Sequence, residues 1–97
     1  MAKVIMIVQY EVNEAKLEKH QLLIEQMKNN FVNNPNVTYS FYKQKGKANS
    51  FIEMYVANTE EDFENFENNE NYETDLIEKR MVDCIIGKQK YLTFLEN

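Results

Sequence analysis

Along the chain, apolar positions switch between a period of two and a period near 3.6, in the order strand, helix, strand, strand, helix, strand. The first strand is expected over residues 3–12. Val4, Met6, Val8, Tyr10 and Val12 share one face, while Ile5 and Ile7 begin a second face that turns polar at Gln9 and Glu11. Asn13 reads as an N-cap, Glu14 suits the positive end of the following helix, and Val12 is placed to staple against Leu17. The apolar stripe of that helix is Leu17, Ile24, Met27 and Phe31, widened by Leu23. The asparagine-rich run before Pro35 ends it.

Residues 37–44 and 50–57 alternate as the two arms of a hairpin around a polar tip. Val37, Tyr39 and Phe41 are expected on the core face of the first arm. On the second arm Ile52, Met54 and Val56 are expected inside, with Phe51, Glu53 and Tyr55 opposite. Thr59 followed by Asp62 approximates a capping box, and Phe63 and Phe66 are the first inward residues of the helix it opens. The polar stretch 65–71 predicts a bend before a second helical piece carrying Leu76, Ile77, Arg80, Met81, Cys84 and Ile85, with Gly87 as its stop. The last strand is expected over 88–96, with Leu92 and Phe94 on one face and Tyr91, Thr93 and Leu95 on the other.

This order is that of an α+β, ferredoxin-like βαββαβ fold over residues 1–97: a four-stranded antiparallel sheet with both helices on one side. Ile5, Ile7, Phe51, Tyr55 and Tyr91 then fall on the uncovered face. An apolar uncovered face calls for a second sheet, so a homodimer packed sheet to sheet is expected.

Composition narrows the classes of function. A chain of 97 residues builds only a modest core, to which a dimer interface would add apolar area. The net charge of -5 argues against nucleic acid, and Lys43, Lys45 and Lys47 around Gly46 read as a solvated hairpin tip. Cys84, the only cysteine, excludes an intrachain disulfide and sits among Met81, Ile85 and Ile86 as a small buried hydrophobe. No run has the length and apolarity of a membrane span, and the start leads directly into a strand, so no membrane association and a cytoplasmic location are expected. One histidine and one cysteine do not make a conventional zinc site, and 2 glycines leave no phosphate-cradling loop. The acidic run from Glu60 to Glu73 lacks the ligand spacing and the Gly turn of a calcium loop. Neither metal nor cofactor is expected.

The stretch FIEMYVANTEEDFENF, from Phe51 to Phe66, is a strand running into a helix that opens with an acidic turn and a Phe. It resembles the dimeric α/β-barrel superfamily, in particular the antibiotic-biosynthesis-monooxygenase-like domains, and the resemblance extends over nearly the whole chain. It implies a homodimer with facing sheets and, in each subunit, a pocket between sheet and helices for an aromatic substrate or haem. Positions that carry Asn, Trp and His in haem-degrading members hold Val8, Phe66 and Leu76 here, so haem degradation is not implied. Where cofactor-free oxygenase relatives place a His just before the aromatic at Tyr72, this chain has Asn71. The implied function is cofactor-independent, monooxygenase-like chemistry on a small aromatic or polyketide-like compound.

His20 is the candidate catalytic base. It lies three residues after Leu17 and four before Ile24, which directs its ring toward the sheet, and an imidazole with a pKa of about 6.5 moves protons at neutral pH. Tyr10 and Tyr39 share the inward face and are placed to hydrogen-bond to it. With Phe66, Asn71 and Tyr72 they make up the candidate substrate contacts. The alternative is a non-catalytic binding or interaction module of the same fold, its pocket plugged by Met6, Met54, Phe63 and Phe66 and His20 merely structural. A cavity of about 300 Å³ or more separates the two, because small-molecule sites begin near that size.

Overall fold

A computed structural model describes residues 2–68 and 72–97, the side chains of 72 and 73 excepted. Its elements are β1 (Val4–Val12), a 3₁₀ turn (Glu14–Lys16) running into α1 (Leu17–Phe31), β2 (Val37–Lys43), β3 (Ser50–Ala57), α2 (Glu60–Asn68), α3 (Tyr72–Val82) and β4 (Ile85–Leu95). The strands form one antiparallel sheet in the order β2-β3-β1-β4, with the helices against one face. This is the expected ferredoxin-like α+β arrangement. Among the described residues, no helix is long and apolar enough to cross a membrane.

The caps follow the sequence. Asn13 Oδ1 accepts from the Ala15 N–H at 3.0 Å, and Thr59 Oγ1 accepts from the Asp62 N–H at 3.0 Å, each satisfying a backbone donor that the new helix leaves free. Val4, Val8, Tyr10 and Val12 of β1 are buried against His20, Leu23, Ile24 and Met27 of α1, as the two periodicities require. Cys84 is buried and free, closing the core beneath the end of α3.

Strand β3 differs from expectation. Its pairing sets Val4 opposite Ala57, Met6 opposite Tyr55, Val8 opposite Glu53 and Tyr10 opposite Phe51, so Phe51, Glu53 and Tyr55 face the helices and Ile52, Met54 and Val56 face away. The two aromatic rings decide this. Phe51 stacks on Phe41 with centroids 5.1 Å apart, and Tyr55 packs on Tyr39 at 5.1 Å and Phe66 at 5.2 Å, contacts only the helix side offers. Because side chains alternate strictly, seating the two rings carries Glu53 inside with them. Tyr91 likewise lies opposite Val8, on the helix side rather than the uncovered one.

The uncovered face keeps its apolar character with a different membership. Ile5 and Ile7 are flanked by Val56 and Met54 on one side and by Phe94 and Leu92 on the other. Phe94 remains half exposed.

The second half of the chain departs in two further ways. Residues 65–68, expected to open a bend, belong to α2, and the rest of that stretch, 69–71, lies outside the described residues. Gly87 is not a helix stop: α3 ends at Val82 and Gly87 lies inside β4, which starts at Ile85 rather than Lys88. Gln9 pairs with Lys90 but Glu11 with Ile86, so β4 bulges here, and Gly87 takes the bend at φ 72°.

A Cβ at Gly87 would meet nothing within 4 Å, which leaves backbone strain as the only cost of adding one. Gly87→Ala is therefore expected to destabilise by about 1–2 kcal/mol, a drop in Tm of several degrees by calorimetry without loss of the fold.

Candidate functional site

Between the inner face of the sheet and the helices lies an open cleft of about 820 Å³. Met6 and Val8 of β1, Glu53 and Tyr55 of β3 and Tyr91 of β4 form its floor, Phe31 and Phe66 stand at one wall, and Thr74, Glu78 and Met81 of α3 form another. The volume is well above the threshold at which small-molecule sites begin, about 300 Å³. The plug considered from the sequence does not form. Met6 and Phe66 line the cleft without filling it, and Met54 is on the other side of the sheet.

Glu53 is the chemically distinctive residue of this cleft. It is only 5% exposed, yet it carries a carboxyl group on a floor that is otherwise apolar or aromatic. The Tyr39 hydroxyl donates to its Oε1 at 2.5 Å, and the Tyr10 hydroxyl also faces it. Burial disfavours the anion and raises the pKa from 4.5 to about 7. Tyr39 pulls it back down by hydrogen bonding, the Glu78 carboxylate pushes it up again, and Tyr10 lowers it by less than Glu78 raises it. A carboxyl group poised near neutrality in a cleft is suited to take or give a proton there.

His20 is 1% exposed and lies outside the lining of the cleft. Its ring is flanked by Phe41 and Phe51, with centroids 5.4 Å and 5.2 Å away, and its Nε2 is 2.8 Å from the Tyr10 hydroxyl. Burial lowers its pKa to about 4, so the imidazole is neutral at physiological pH. The structure thus brings Tyr39 and Tyr10 to Glu53 and bonds His20 to Tyr10 alone, the expected contact of His20 with Tyr39 being replaced by the Tyr39–Glu53 hydrogen bond, and it sets Phe66 at the cleft wall. Tyr10 and Tyr39 sit behind the carboxyl group rather than in the lining. Asn71 and the side chain of Tyr72 lie outside the described residues.

Three more residues complete the chemistry. Asn30, in the last turn of α1, lines the cleft, and its Nδ2 is buried with no hydrogen-bond partner among the described residues, an orphan donor available to a ligand oxygen. Glu78, at the rim of the cleft, has its pKa raised by burial and by Asp75 one turn earlier on α3. Tyr91, beyond it, is shifted upward by burial, Glu78 and Glu53. Around the cleft, Glu53, Asp62, Glu67, Asp75 and Glu78 are set against Lys79, an acidic balance. Among the described residues, no group of three His, Cys, Asp or Glu side chains is placed to hold a metal ion.

Sequence reasoning missed Glu53 because it assigned that strand face to the outside. The available signal was a single carboxylate between two aromatics, Phe51 and Tyr55, two residues away on either side.

The opposed shifts of Glu53 and His20 predict a definite dependence of stability on pH. Glu53 has its folded pKa above the unfolded value. Its penalty is absent below about pH 4.5, grows as pH rises to about 7 and persists above, amounting to about 3 kcal/mol. His20, lowered from 6.5 to about 4, has the opposite sign: its penalty is full below pH 4 and gone above 6.5. The two slopes cancel between pH 4.5 and 6.5. Denaturant melts of Glu53→Gln are expected to show stability rising across that window and, at pH 8, exceeding that of the unsubstituted chain by up to about 3 kcal/mol, with little difference near pH 4.5.

No protein-family model matches the sequence, and no curated protein matches it. Solved structures do. A conserved protein from Methanosarcina mazei Go1 superposes with a TM-score of 0.88 at 9% identity, covering 100% of this chain and 95% of its own. A candidate antibiotic biosynthesis monooxygenase from Nitrosomonas europaea gives 0.82 at 12% identity, covering 95% and 88%. SnoaB, a cofactor-independent oxygenase from Streptomyces nogalater, gives 0.76 at 12% identity, covering 95% and 90%. At these identities the likeness is one of fold: the chain has the fold of the antibiotic-biosynthesis-monooxygenase-like proteins.

Proposed function

We propose that the cleft is the substrate pocket of a cofactor-independent, monooxygenase-like enzyme acting on a small aromatic or polyketide-like compound, with Glu53 as general base. The observation that carries this reading is the buried carboxyl group, poised near neutral pH, on the floor of an open cleft walled by aromatic rings. The fold shared with SnoaB and with the candidate monooxygenase from Nitrosomonas europaea supports it.

The chemistry needs a substrate that supplies its own electrons. An aryl-flanked methylene, the keto tautomer of an electron-rich phenol, loses a proton to the Glu53 carboxylate. The delocalised anion passes an electron to dioxygen, the radical pair combines to form a carbon–oxygen bond, and the peroxide anion takes the proton back from Glu53. Loss of water from the resulting hydroperoxide leaves a carbonyl group, so R₂CH₂ and O₂ become R₂C=O and H₂O. Asn30 Nδ2 is a buried cleft donor available to the oxyanion, which the surrounding carboxylates would otherwise oppose. The same carboxylates favour a neutral or amine-bearing aromatic and repel an aryl carboxylate.

The test is a thermal-shift panel of neutral phenols, anthrone-type ketones, amine-bearing phenols and aryl carboxylates, followed by oxygen uptake on every compound that binds. Neutral and amine-bearing aromatics are expected to stabilise the protein, and aryl carboxylates to leave it unchanged. With a turned-over substrate, kcat/KM is expected to rise with pH through a midpoint near 7 as Glu53 ionises. Glu53→Gln is expected to lower kcat by about 10²–10⁴-fold while binding survives. Ligands that bind without oxygen uptake would instead make the chain a binding module of this fold.

The uncovered sheet face completes the proposal. Ile5, Ile7, Met54 and Val56, with Leu92 and Phe94 beside them, form an apolar surface that a second copy of the chain would cover, giving a homodimer. A ferredoxin-like protein of the same fold from Thermobifida fusca is described as dimeric. Sedimentation is expected to show a dimer for the unsubstituted chain and a monomer for Met54→Lys, which sets a charge opposite Ile7 in the middle of the face.

A further inference from the structure

The single histidine is fully buried, and the cleft reading gives it no task. Its Nε2 is nevertheless 2.8 Å from the hydroxyl of Tyr10, and Tyr10 lies on the same sheet face as Glu53, diagonally across the pairing of β1 with β3, where its hydroxyl and the carboxyl group interact. Tyr10 has one proton and two neighbours that can accept it, the imidazole nitrogen and the carboxyl group. Tyr39 is different: its proton goes to Glu53 Oε1. The hydrogen-bond arrangement around Glu53 is therefore fixed on one side and open to choice on the other.

We propose that His20 is a positioning residue for Glu53, acting through Tyr10 by exchanging its tautomer as Glu53 gains or loses its proton. When Glu53 is protonated, the Tyr10 hydroxyl donates to an unprotonated Nε2, and the imidazole carries its proton on Nδ1. When Glu53 is ionised, the charge-assisted bond to the carboxylate is the stronger one and takes the Tyr10 proton. The Tyr10 oxygen is then a bare acceptor facing His20, and an Nε2–H satisfies it. In a site this dry an unmet acceptor costs about 1–3 kcal/mol, which is enough to choose between tautomers. One proton leaves to solvent per Glu53 ionised. The imidazole holds one proton in both states.

The proposal deepens the reading of Glu53 as the base of the cleft and rests on it for its functional meaning, since the tautomer exchange stabilises both protonation states that a base must visit. The neighbours of Glu53 allow it. Tyr39, Tyr55 and Tyr91, from β2, β3 and β4, are phenols whose ionisation burial disfavours, so they stay neutral donors. Glu78 from α3, with Asp75 behind it, is the acidic group that acts on Glu53 from the helix side, and its own pKa is raised. On α2, Asp62 and Glu67 reach the cleft lining. From α1 comes His20 itself, which is too hard to protonate to become a competing cation near pH 7.

The chain has 1 histidine, so a ¹⁵N-labelled imidazole reports on this residue alone. Nitrogen NMR between pH 5 and 9 is expected to show Nδ1 and Nε2 exchanging protonated and unprotonated signatures with a midpoint near 7, never both protonated. In Glu53→Gln the tautomer should stop responding to pH. In Tyr10→Phe it should also stop, while the pH dependence of stability that belongs to Glu53 remains. A tautomer constant across this range in the unsubstituted protein would overturn the proposal. So would an ordinary imidazolium appearing near pH 6.5, or a Tyr10→Phe protein whose His20 still follows pH. Tautomer exchange in a protein that consumes no oxygen on any phenol would keep this coupling and reject the enzymatic reading, so the two fail separately.

Discussion

The hydrogen bond from Tyr39 to Glu53 is the interaction on which the architecture of the cleft depends. A carboxyl group carried inside by strand alternation has three outcomes available: to break the strand, to draw in water, or to be met by a donor. Tyr39, on the neighbouring strand and anchored by stacking on Phe31 with centroids 5.6 Å apart, supplies the third. Its hydroxyl compensates part of the desolvation without neutralising the group. A lysine or arginine in the same place would have driven Glu53 to a permanently ionised state. A phenol leaves it able to titrate.

The same logic explains the division of labour between the two polar clusters. The inner one, His20 with Tyr10, is sealed between Phe41 and Phe51, where charge is costly and the imidazole stays neutral. The outer one, Glu78 with Asp75, lies at the rim, where water reaches it. Glu53 stands between this neutral interior and a negatively charged mouth: burial and Glu78 favour its protonated form, and the hydroxyls of Tyr39 and Tyr10 favour the anion. What holds the pKa near 7 rather than higher is the pair of phenols. The residue is tuned by opposing contributions: loss of the Tyr39 hydroxyl moves it further than a change at Glu78 does, and a change at Glu78 further than loss of the Tyr10 hydroxyl.

Much of the fold was legible in the chain. Asn13 and Thr59 marked helix starts through a backbone donor each could satisfy, and the stripe through Ile24 and Met27 located the buried face of α1. The inward direction of His20 followed from the same spacing. Strand β3 was not legible, and the reason is physical: both of its faces are apolar, so hydrophobicity alone does not say which goes inside. Polarity pointed outward at Glu53, whereas the size of Phe51 and Tyr55 and their ring partners on β2 and α2 pointed inward, and the rings prevailed. Gly87 misled in a similar way. A glycine after an apolar helical run has the signature of a helix stop, and only the two-residue offset between β1 and β4 shows that its left-handed backbone serves a bulge instead. Asn30 carried no sequence signal, because an orphan donor exists only once a cleft surrounds it.

Strand β3 ties the two faces of the sheet into one constraint. Phe51, Glu53 and Tyr55 build the floor and backing of the cleft, and Ile52, Met54 and Val56, interleaved with them, build the apolar face on the other side. A shift of one residue in its pairing would expose the carboxyl group, empty the aromatic wall and bury the surface proposed to meet a second chain, all at once. The register is therefore fixed more firmly than either face alone would fix it. Covering the outer face would also work in favour of the inner one. Once Ile52, Met54 and Val56 are out of water on their own side, no hydrophobic gain remains for a slipped strand, and Glu53 is held in the one place where Tyr39 and Tyr10 can meet it.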